Sequence, residues 1–321
     1  MKPARYLLGI DGGGSRSEAV LQSLDAGEAV VLRGGPLNAH TDGEAKARGH
    51  LLALLEQAEE RLAERGGVLA AAAVAAACNT GPDKDAHWSV ETARERFPDA
   101  RIAGMEDTEA ALEGAFAGGP GILVIAGTGS AAAARTEEGR LLSCGGWGPW
   151  FGDEGSGYWL GCEALRAAAR AADGRGERTR LEELLAERLG LPSFAMEEAV
   201  RRLYGSWGRK EIASLTRQVA EAAAQGDAAA LALLEQAAEH LAELAQALHR
   251  ASERSLTRVS YVGGVFAIGE PVLGPWRLRL EQSGLTAAPP LLTPPQGAVE
   301  YARKQLRGDP RERRTNDANT P

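Results

Sequence analysis

The chain has 321 residues, of which 44% are hydrophobic and 25% charged, and a formal net charge of −8. That length accommodates two domains with cores of their own, and the acidic balance argues against a general nucleic-acid or anionic-membrane binder. No apolar run reaches the 18 residues of a membrane-spanning helix, and MKPARYLLGIDGGG lacks the apolar centre and cleavage site of a secretory leader, so no membrane partner and a cytoplasmic location are expected.

Residues 5–35 read as two or three strands, interrupted by the turn Asp11-Gly12-Gly13-Gly14-Ser15 and stopped at Gly34-Gly35-Pro36. Leu37-Asn38-Ala39-His40 follows as a loop, where an Asn is a common turn residue. Residues 43–65 predict a helix whose apolar stripe is Leu51, Leu52, Leu54, Leu55 and Leu62. The run 68–77, VLAAAAVAAA, is ambiguous: alanine favours helix, yet the run stops at Cys78-Asn79-Thr80-Gly81-Pro82 as a strand would. A helix over 85–96 comes next. Arg101–Met105 is a short strand that ends in Glu106 and Asp107, ahead of a helix over 108–117. Taken alone, Asp107 there is a good helix N-cap. Three glycines and a proline in Phe116–Gly121 mark the best domain boundary, and a hinge at this point would let two halves close on a substrate.

Ile122–Ala126 is of strand length, Gly127-Thr128-Gly129-Ser130 is a tight turn, and Ala131–Ala134 returns from it. The layout repeats that of residues 6–21, about 115 residues earlier. Turns of this kind let backbone N–H groups approach a phosphate, with hydroxyls as added donors, so the repetition suggests two related halves serving one nucleotide. Glu138-Gly139 reads as a hairpin turn. The loop CGGWGPWFGDEGS then leads into a helix from Gly157 to about Ala172. A polar loop over 173–180 is followed by helices over 181–189, 195–204, 209–224 and 227–254, which together resemble an insertion. Residues 258–266 form a strand running into Gly263-Gly264, 288–297 an extended connection, and 297–306 a short helix. The charged tail 307–321 is expected to be disordered.

DGGGSRSEAVL, GTGS and above all CGGWGPWFGDEGSGYWLG resemble N-acetylglucosamine kinases within the BadF/BadG/BcrA/BcrD ATPase group of the actin/hexokinase/Hsp70 superfamily, over roughly residues 5 to 305. The resemblance implies an α/β fold of two ribonuclease-H-like domains, 1–118 and 119–296, with a helical insertion in the second and the helix 297–306 packing back on the first. It also turns 68–77 into a buried strand. The cofactors it implies are ATP and Mg²⁺, and the partner is a small amino sugar, with the chain assembled as a homodimer. Asp107 becomes the catalytic base for the sugar hydroxyl, and Asp11 orients Mg²⁺, through water because this ion keeps most of its hydration. Gly13, Gly14 and Ser15, with Gly127, Thr128 and Gly129, hold the phosphates, while Gly263 and Gly264 receive the adenosine. Asn38, Asp107, Trp147, Gly148 and Asp153 contact the sugar: carboxylates suit paired hydroxyls and Trp offers a flat apolar face. Trp150 and Trp159 read as packing residues.

Two departures stand out. Ser15 stands where many relatives carry Thr, a conservative change for a hydroxyl donor. Asn79-Thr80-Gly81-Pro82 replaces a more glycine-rich loop near the sugar, which leaves glucosamine, N-acetylglucosamine, N-acetylmuramic acid and N-acetylmannosamine open. Rival motifs are missing: GxxxxGK[ST], a GxGxxG after a strand, and GxSxG do not occur. Cys78, Cys144 and Cys162 have neither CxxC spacing nor a nearby histidine cluster, which argues against zinc and fits a reducing compartment. An ATPase that activates a partner redox enzyme would need cysteines placed for an iron–sulfur cluster. A non-catalytic sugar sensor would need a DNA-binding extension, whereas the first strand begins within about six residues of the start.

Overall fold

The computed structural model describes residues 3–14, 16–25, 27–39, 43–76 and 83–307. Ser15, His40, Cys78, the loop Asn79-Thr80-Gly81-Pro82 and the tail beyond Arg307 lie outside the described residues. The chain divides into two compact units. Unit 1 takes the residues up to Gly119 and those from Pro290 onward, and unit 2 is Pro120–Pro289.

Unit 1 is built on strands β1 (Ala4–Gly12), β2 (Ser17–Ser23), β3 (Ala29–Gly34), β4 (Gly67–Ala76) and β5 (Arg101–Met105), in the order β3-β2-β1-β4-β5. The first three form an antiparallel meander, and β4 and β5 run parallel to β1. Successive residues on a strand face opposite sides of the sheet. Leu8, Ile10, Ala72 and Val74 therefore join Leu51, Leu54 and Leu55 of α1 (Glu44–Glu64) and Val90 of α2 (Trp88–Arg96) on one face. Leu7, Ala71, Ala73 and Ala75 join Ala110 of α3 (Asp107–Phe116) on the other. The alanine-rich segment is strand β4, not helix. Burial on both faces of a parallel sheet outweighs the alanine preference for helix.

Unit 2 repeats the same connectivity. Strands β6 (Gly121–Ala126), β7 (Ser130–Arg135) and β8 (Leu141–Gly145) form the meander, and β9 (Arg258–Val262) and β10 (Thr286–Ala287) run parallel to β6, giving β10-β9-β6-β7-β8. Helices α4 (Gly157–Ala172), α5 (Leu181–Leu189), α6 (Met196–Ser206), α7 (Arg209–Ala213), α8 (Thr216–Ala224) and α9 (Ala228–Ala251) intervene between β8 and β9. Leu160 and Ala164 of α4 and Leu234, Ala237 and Leu241 of α9 close the core on Ile122, Val124 and Ala132. Among the described residues no helix is long and apolar enough to cross a membrane.

The structure corrects several predicted elements. The helix expected over 209–224 is two, because the Ser214 hydroxyl donates to the Glu211 carbonyl at 2.6 Å and the backbone turns at Ser214-Leu215. The strand expected over 258–266 ends at Val262, where Gly263 adopts φ 116°. Residues 270–282 were not predicted to be regular, because Pro271, Gly274 and Pro275 obscure the pattern; they form α10 (Glu270–Gln282), anchored by the fully buried Trp276. The last helix, α11 (Pro294–Arg307), starts three residues earlier than expected, since proline is well tolerated in a helix's first turn. It therefore includes Arg307, the first residue of the predicted tail.

Helix α11 packs into unit 1 through glycines. A Cβ at Gly9 of β1 would lie 2.5 Å from Val299 N, and one at Gly297 would lie 2.8 Å from Gly114 Cα of α3, with Ala110 O and Gly114 N nearer still. The obstacles at Gly297 are backbone atoms, which cannot rotate away. Gly297→Ala is expected to destabilise unit 1 by about 3 kcal/mol. Gly49→Ala, at an exposed helical glycine with open space around it, should be neutral or stabilising. Urea unfolding of both variants checks this; a Gly297→Ala protein as stable as wild type would refute the close approach.

Candidate functional site

In an open α/β sheet, ligands gather beyond the carboxyl ends of the parallel strands. In unit 1 those ends carry Asp11 to Gly14 after β1 and Glu106-Asp107 after β5. Asp11 pairs with Ala75 of β4, and Ala75 pairs with Met105 of β5. Asp11 therefore stands level with Met105, two strands or about 10 Å of sheet away, and Asp107 follows two residues beyond Met105.

The first turn is closed by Gly13 N–H donating to Arg16 O at 3.1 Å. Leu37 N–H donates to Gly13 O at 3.2 Å, and the Leu37 side chain fills the space that a Cβ at Gly12 would need. This brings Asn38 beside the turn, its Nδ2 lying 3.5 Å from where a Cβ at Gly14 would sit. Contact between His50 Nδ1 and Pro36 O at 2.9 Å holds the loop to α1. Burial, the charge of Asp107 and that of Glu18, across the β1–β2 pair, push the Asp11 carboxyl up to about 7, against the opposing pull of Arg16.

Asp107 is the first residue of α3, and the N-cap is Glu106. The capping role that Asp107 would fill on sequence grounds alone thus falls one residue earlier. Glu106 N–H donates to Glu109 Oε2 at 3.0 Å, and Lys84 Nζ reaches Glu109 at 2.7 Å and Glu106 at 3.4 Å. Asp85 Oδ1 accepts from Gly104 N–H at 2.6 Å and pins the end of β5. Asp107 is half-buried, and its Oδ1 accepts from Thr108 N–H at 2.8 Å. Burial holds its carboxyl above the usual carboxylate range; the Thr108 bond opposes this and the charge of Glu106 adds to it. A half-buried carboxylate of raised basicity is suited to taking a proton from a hydroxyl.

In unit 2 the ends of the parallel strands β6 and β9 carry Gly127-Thr128-Gly129 and Gly263-Gly264. Gly127 N–H donates to Gly129 O at 2.9 Å, and Thr128 is exposed. The first N–H groups of α4 serve this turn, with Gly157 N donating to Gly127 O at 2.8 Å and Tyr158 N to Thr128 O at 3.1 Å. Gly263, at φ 116°, is pressed against the backbone of Ala126, and Val265 N donates to Ala126 O at 3.1 Å. Only a residue without a Cβ fits there. Gly264 has open space above it, so both glycine pairs lie at one end of one strand pair.

The loop after β8 folds back on the turn. Gly146 N donates to Ser130 O at 2.9 Å, and Ser130 Oγ donates to Glu154 O at 2.7 Å. Asp153 is only 3% exposed and has φ 61°. Its Oδ1 accepts from Ser130 N–H at 3.2 Å and its Oδ2 is ion-paired with Arg209 of α7. Trp147 and Gly148 lie against Gly152, the residue before Asp153. Trp147 is 70% exposed and stands 6.3 Å from Phe151, ring centre to ring centre. Trp150 is 92% exposed, which overturns its reading as a packing residue. Trp159 does pack, half-buried on the unit 2 core and edge-on to His240.

Unit 1 thus groups Asp11, Gly13, Gly14, Asn38 and Asp107, and unit 2 groups Gly127, Thr128, Gly129, Trp147, Gly148, Asp153, Gly263 and Gly264. Sequence reasoning missed Glu18, Lys84, Glu109 and Arg209. Glu109 had a readable signal, an acid three residues after an N-cap. The others depend on pairings between separate elements.

The sequence profile of the BadF/BadG/BcrA/BcrD ATPase family matches residues 8–302. The chain is 35% identical over 240 residues to the N-acetylmuramic acid/N-acetylglucosamine kinase of Clostridium acetobutylicum, a match covering 74% of this chain and 77% of that protein. It is 27% identical over 256 residues to the N-acetyl-D-glucosamine kinase of Dictyostelium discoideum, with the same coverage. Its fold is similar to the crystal structure of a Chromobacterium violaceum protein provisionally named N-acetylglucosamine kinase, with TM-score 0.74, 29% identity, and coverage of 92% of this chain and 98% of that one.

Proposed function

The chain belongs to the BadF/BadG/BcrA/BcrD ATPase family, and on that premise we propose that it is an ATP-dependent amino-sugar kinase that phosphorylates the C6 hydroxyl of N-acetylglucosamine or glucosamine. The observation that carries this reading is the pair Asp11 and Asp107, a metal-orienting acid and a base at the carboxyl ends of β1 and β5, on a family scaffold whose relatives carry sugar-kinase names. An ATPase serving a redox partner and a non-catalytic sensor find no support in those names.

The two units are the two ribonuclease-H-like domains. Unit 1 supplies the base. Asp107 accepts the proton of the sugar hydroxyl as its oxygen attacks the terminal phosphorus and the bond to ADP breaks. Backbone groups at Gly13, Gly14 and Ser15, and at Gly127, Thr128 and Gly129, hold phosphate oxygens, and Gly263-Gly264 gives the adenosine room. Bound MgATP supplies the phosphoryl group, with its charge partly neutralised by the metal. The donor set fits such a cation: burial above all, with the charges of Asp107 and Glu18 adding to it and Arg16 opposing, pushes the Asp11 carboxyl up to about 7, and Mg²⁺ binds through few carboxylates and several waters. Asn38, Trp147, Gly148 and Asp153 recognise the sugar. Asp153 is buried and holds Ser130 and Arg209, and an ionised carboxylate keeps two further lone-pair sites. The reading carries with it a homodimer in the cytoplasm.

The test is ADP release with MgATP across N-acetylglucosamine, glucosamine, N-acetylmuramic acid, N-acetylmannosamine, glucose and a no-sugar control. Release that depends on an amino sugar is expected. Hydrolysis that ignores the sugar, or none, would overturn the reading.

A further inference from the structure

Arg209 sits in the helical block that interrupts unit 2, 56 residues beyond the loop it touches. A Cβ at Gly129 would lie 2.5 Å from Arg209 Nη2 and 2.7 Å from Asp153 Oδ1, so the guanidinium rests directly on the Gly127-Thr128-Gly129 turn. Buried Asp153 fixes it from below, and the Arg209 side chain remains 43% exposed. Helix α7 is itself held firmly. Gly161 of α4 meets the backbone of Ile212, Thr216 Oγ1 contacts Gly157 O at 3.3 Å, and Gly208 N–H donates to Glu211 Oε2 at 2.9 Å.

A guanidinium has five N–H donors in a rigid fork suited to phosphate oxygens. Asp153 engages Nη2, and the exposed remainder stands over the glycine whose backbone is read as a phosphate cradle.

We propose that Arg209 is a phosphate-binding residue of the second turn, a guanidinium positioned by Asp153 to bind the terminal phosphates of a nucleoside di- or triphosphate seated on Gly127-Thr128-Gly129. The proposal rests on the kinase reading above. It gives the helical block a function: α7 delivers a cation to a turn that has none of its own.

The experiment measures binding without turnover. ATP is titrated calorimetrically with Mg²⁺ and no sugar, and adenosine is followed by ligand-observed NMR. The proteins are wild type, Arg209→Gln, and the double variant Asp153→Asn/Arg209→Gln, which avoids leaving a buried carboxylate unpaired. Loss of a charged hydrogen bond to phosphate should weaken ATP about 10- to 100-fold in both variants, with adenosine within two-fold of wild type. An ATP affinity within three-fold of wild type, or a loss shared equally by adenosine, overturns the role of Arg209 alone. A wild-type protein that does not bind ATP overturns the kinase reading and this inference together.

Discussion

Replacing Asp107 by asparagine is expected to lower kcat by about 10²- to 10⁴-fold, the usual contribution of a general base, while ATP and sugar affinities change by no more than a few-fold. Asparagine is nearly the same size, and its carbonyl oxygen can still accept the Thr108 N–H bond that Oδ1 accepts at 2.8 Å. The start of α3 does not depend on Asp107, because Glu106 is the N-cap and Glu109 and Lys84 secure it. The substitution therefore removes basicity and leaves the frame in place. Burial raises the carboxyl above its ordinary value, so the acidic limb of the wild-type kcat profile should lie above the usual carboxylate range. Residual turnover of the Asn variant should lack that limb. Steady-state kinetics across pH test both points, and a variant with near wild-type kcat would remove Asp107 from the role.

The elements that could be read from sequence are those whose cause is local. The turns at Gly12–Gly14 and Gly127–Gly129 declare themselves because small residues between two apolar runs have few other uses. The boundaries of α5, at 181 and 189, follow from apolar period and a closing glycine with φ 70°. Where tertiary packing decides, local signals mislead or fall silent. Alanine favours helix in 67–76, but two layers of side chains bury it as β4. Pro271 and Pro275 disguise α10, which forms because Trp276 and Leu280 are buried against the unit 2 core.

The site divides along the same line. Asp11 and Asp107 could be noticed as acids at strand ends, yet only strand register shows that Asp11 is level with Met105, where β5 ends. Asp153 could be noticed in its glycine-rich loop, but its ties to Ser130 and Arg209 span 23 and 56 residues. An arginine at the start of a five-residue helix carries no local mark of its neighbour. The exposed Trp150 failed in the opposite sense, because a tryptophan between Pro149 and Phe151 looks like core and instead faces solvent.

Replacing Asp11 by asparagine should stabilise the protein free of metal and nucleotide at pH 8 and leave it nearly unchanged at pH 4. The Asp11 carboxyl is pushed up to about 7 in the folded protein, from an ordinary value of 3.8, with burial the largest cause. A carboxyl raised on folding favours the protonated native state. Its contribution is fully present below about pH 4, is lost as pH rises through about 7, and does not return above that. At about 1.4 kcal/mol per unit, the loss across that window is somewhat over 4 kcal/mol. Asparagine mimics the protonated form at every pH, so the variant should lack this part of the slope, and urea unfolding followed by circular dichroism at intervals between pH 4 and 8 reads the difference. Mg²⁺ should act in the opposite direction. A cation near Asp11 favours its ionised form, so millimolar Mg²⁺ with ATP should stabilise wild type at pH 8 more than the Asn variant, and kinase activity of the variant should demand more Mg²⁺. Equal pH slopes in the two proteins would show that Asp11 is not held protonated, and an unchanged Mg²⁺ requirement would take the metal-orienting role from it. Both outcomes come from the same residue because an acid buried among like charges destabilises the empty fold to the extent that it is prepared for a cation.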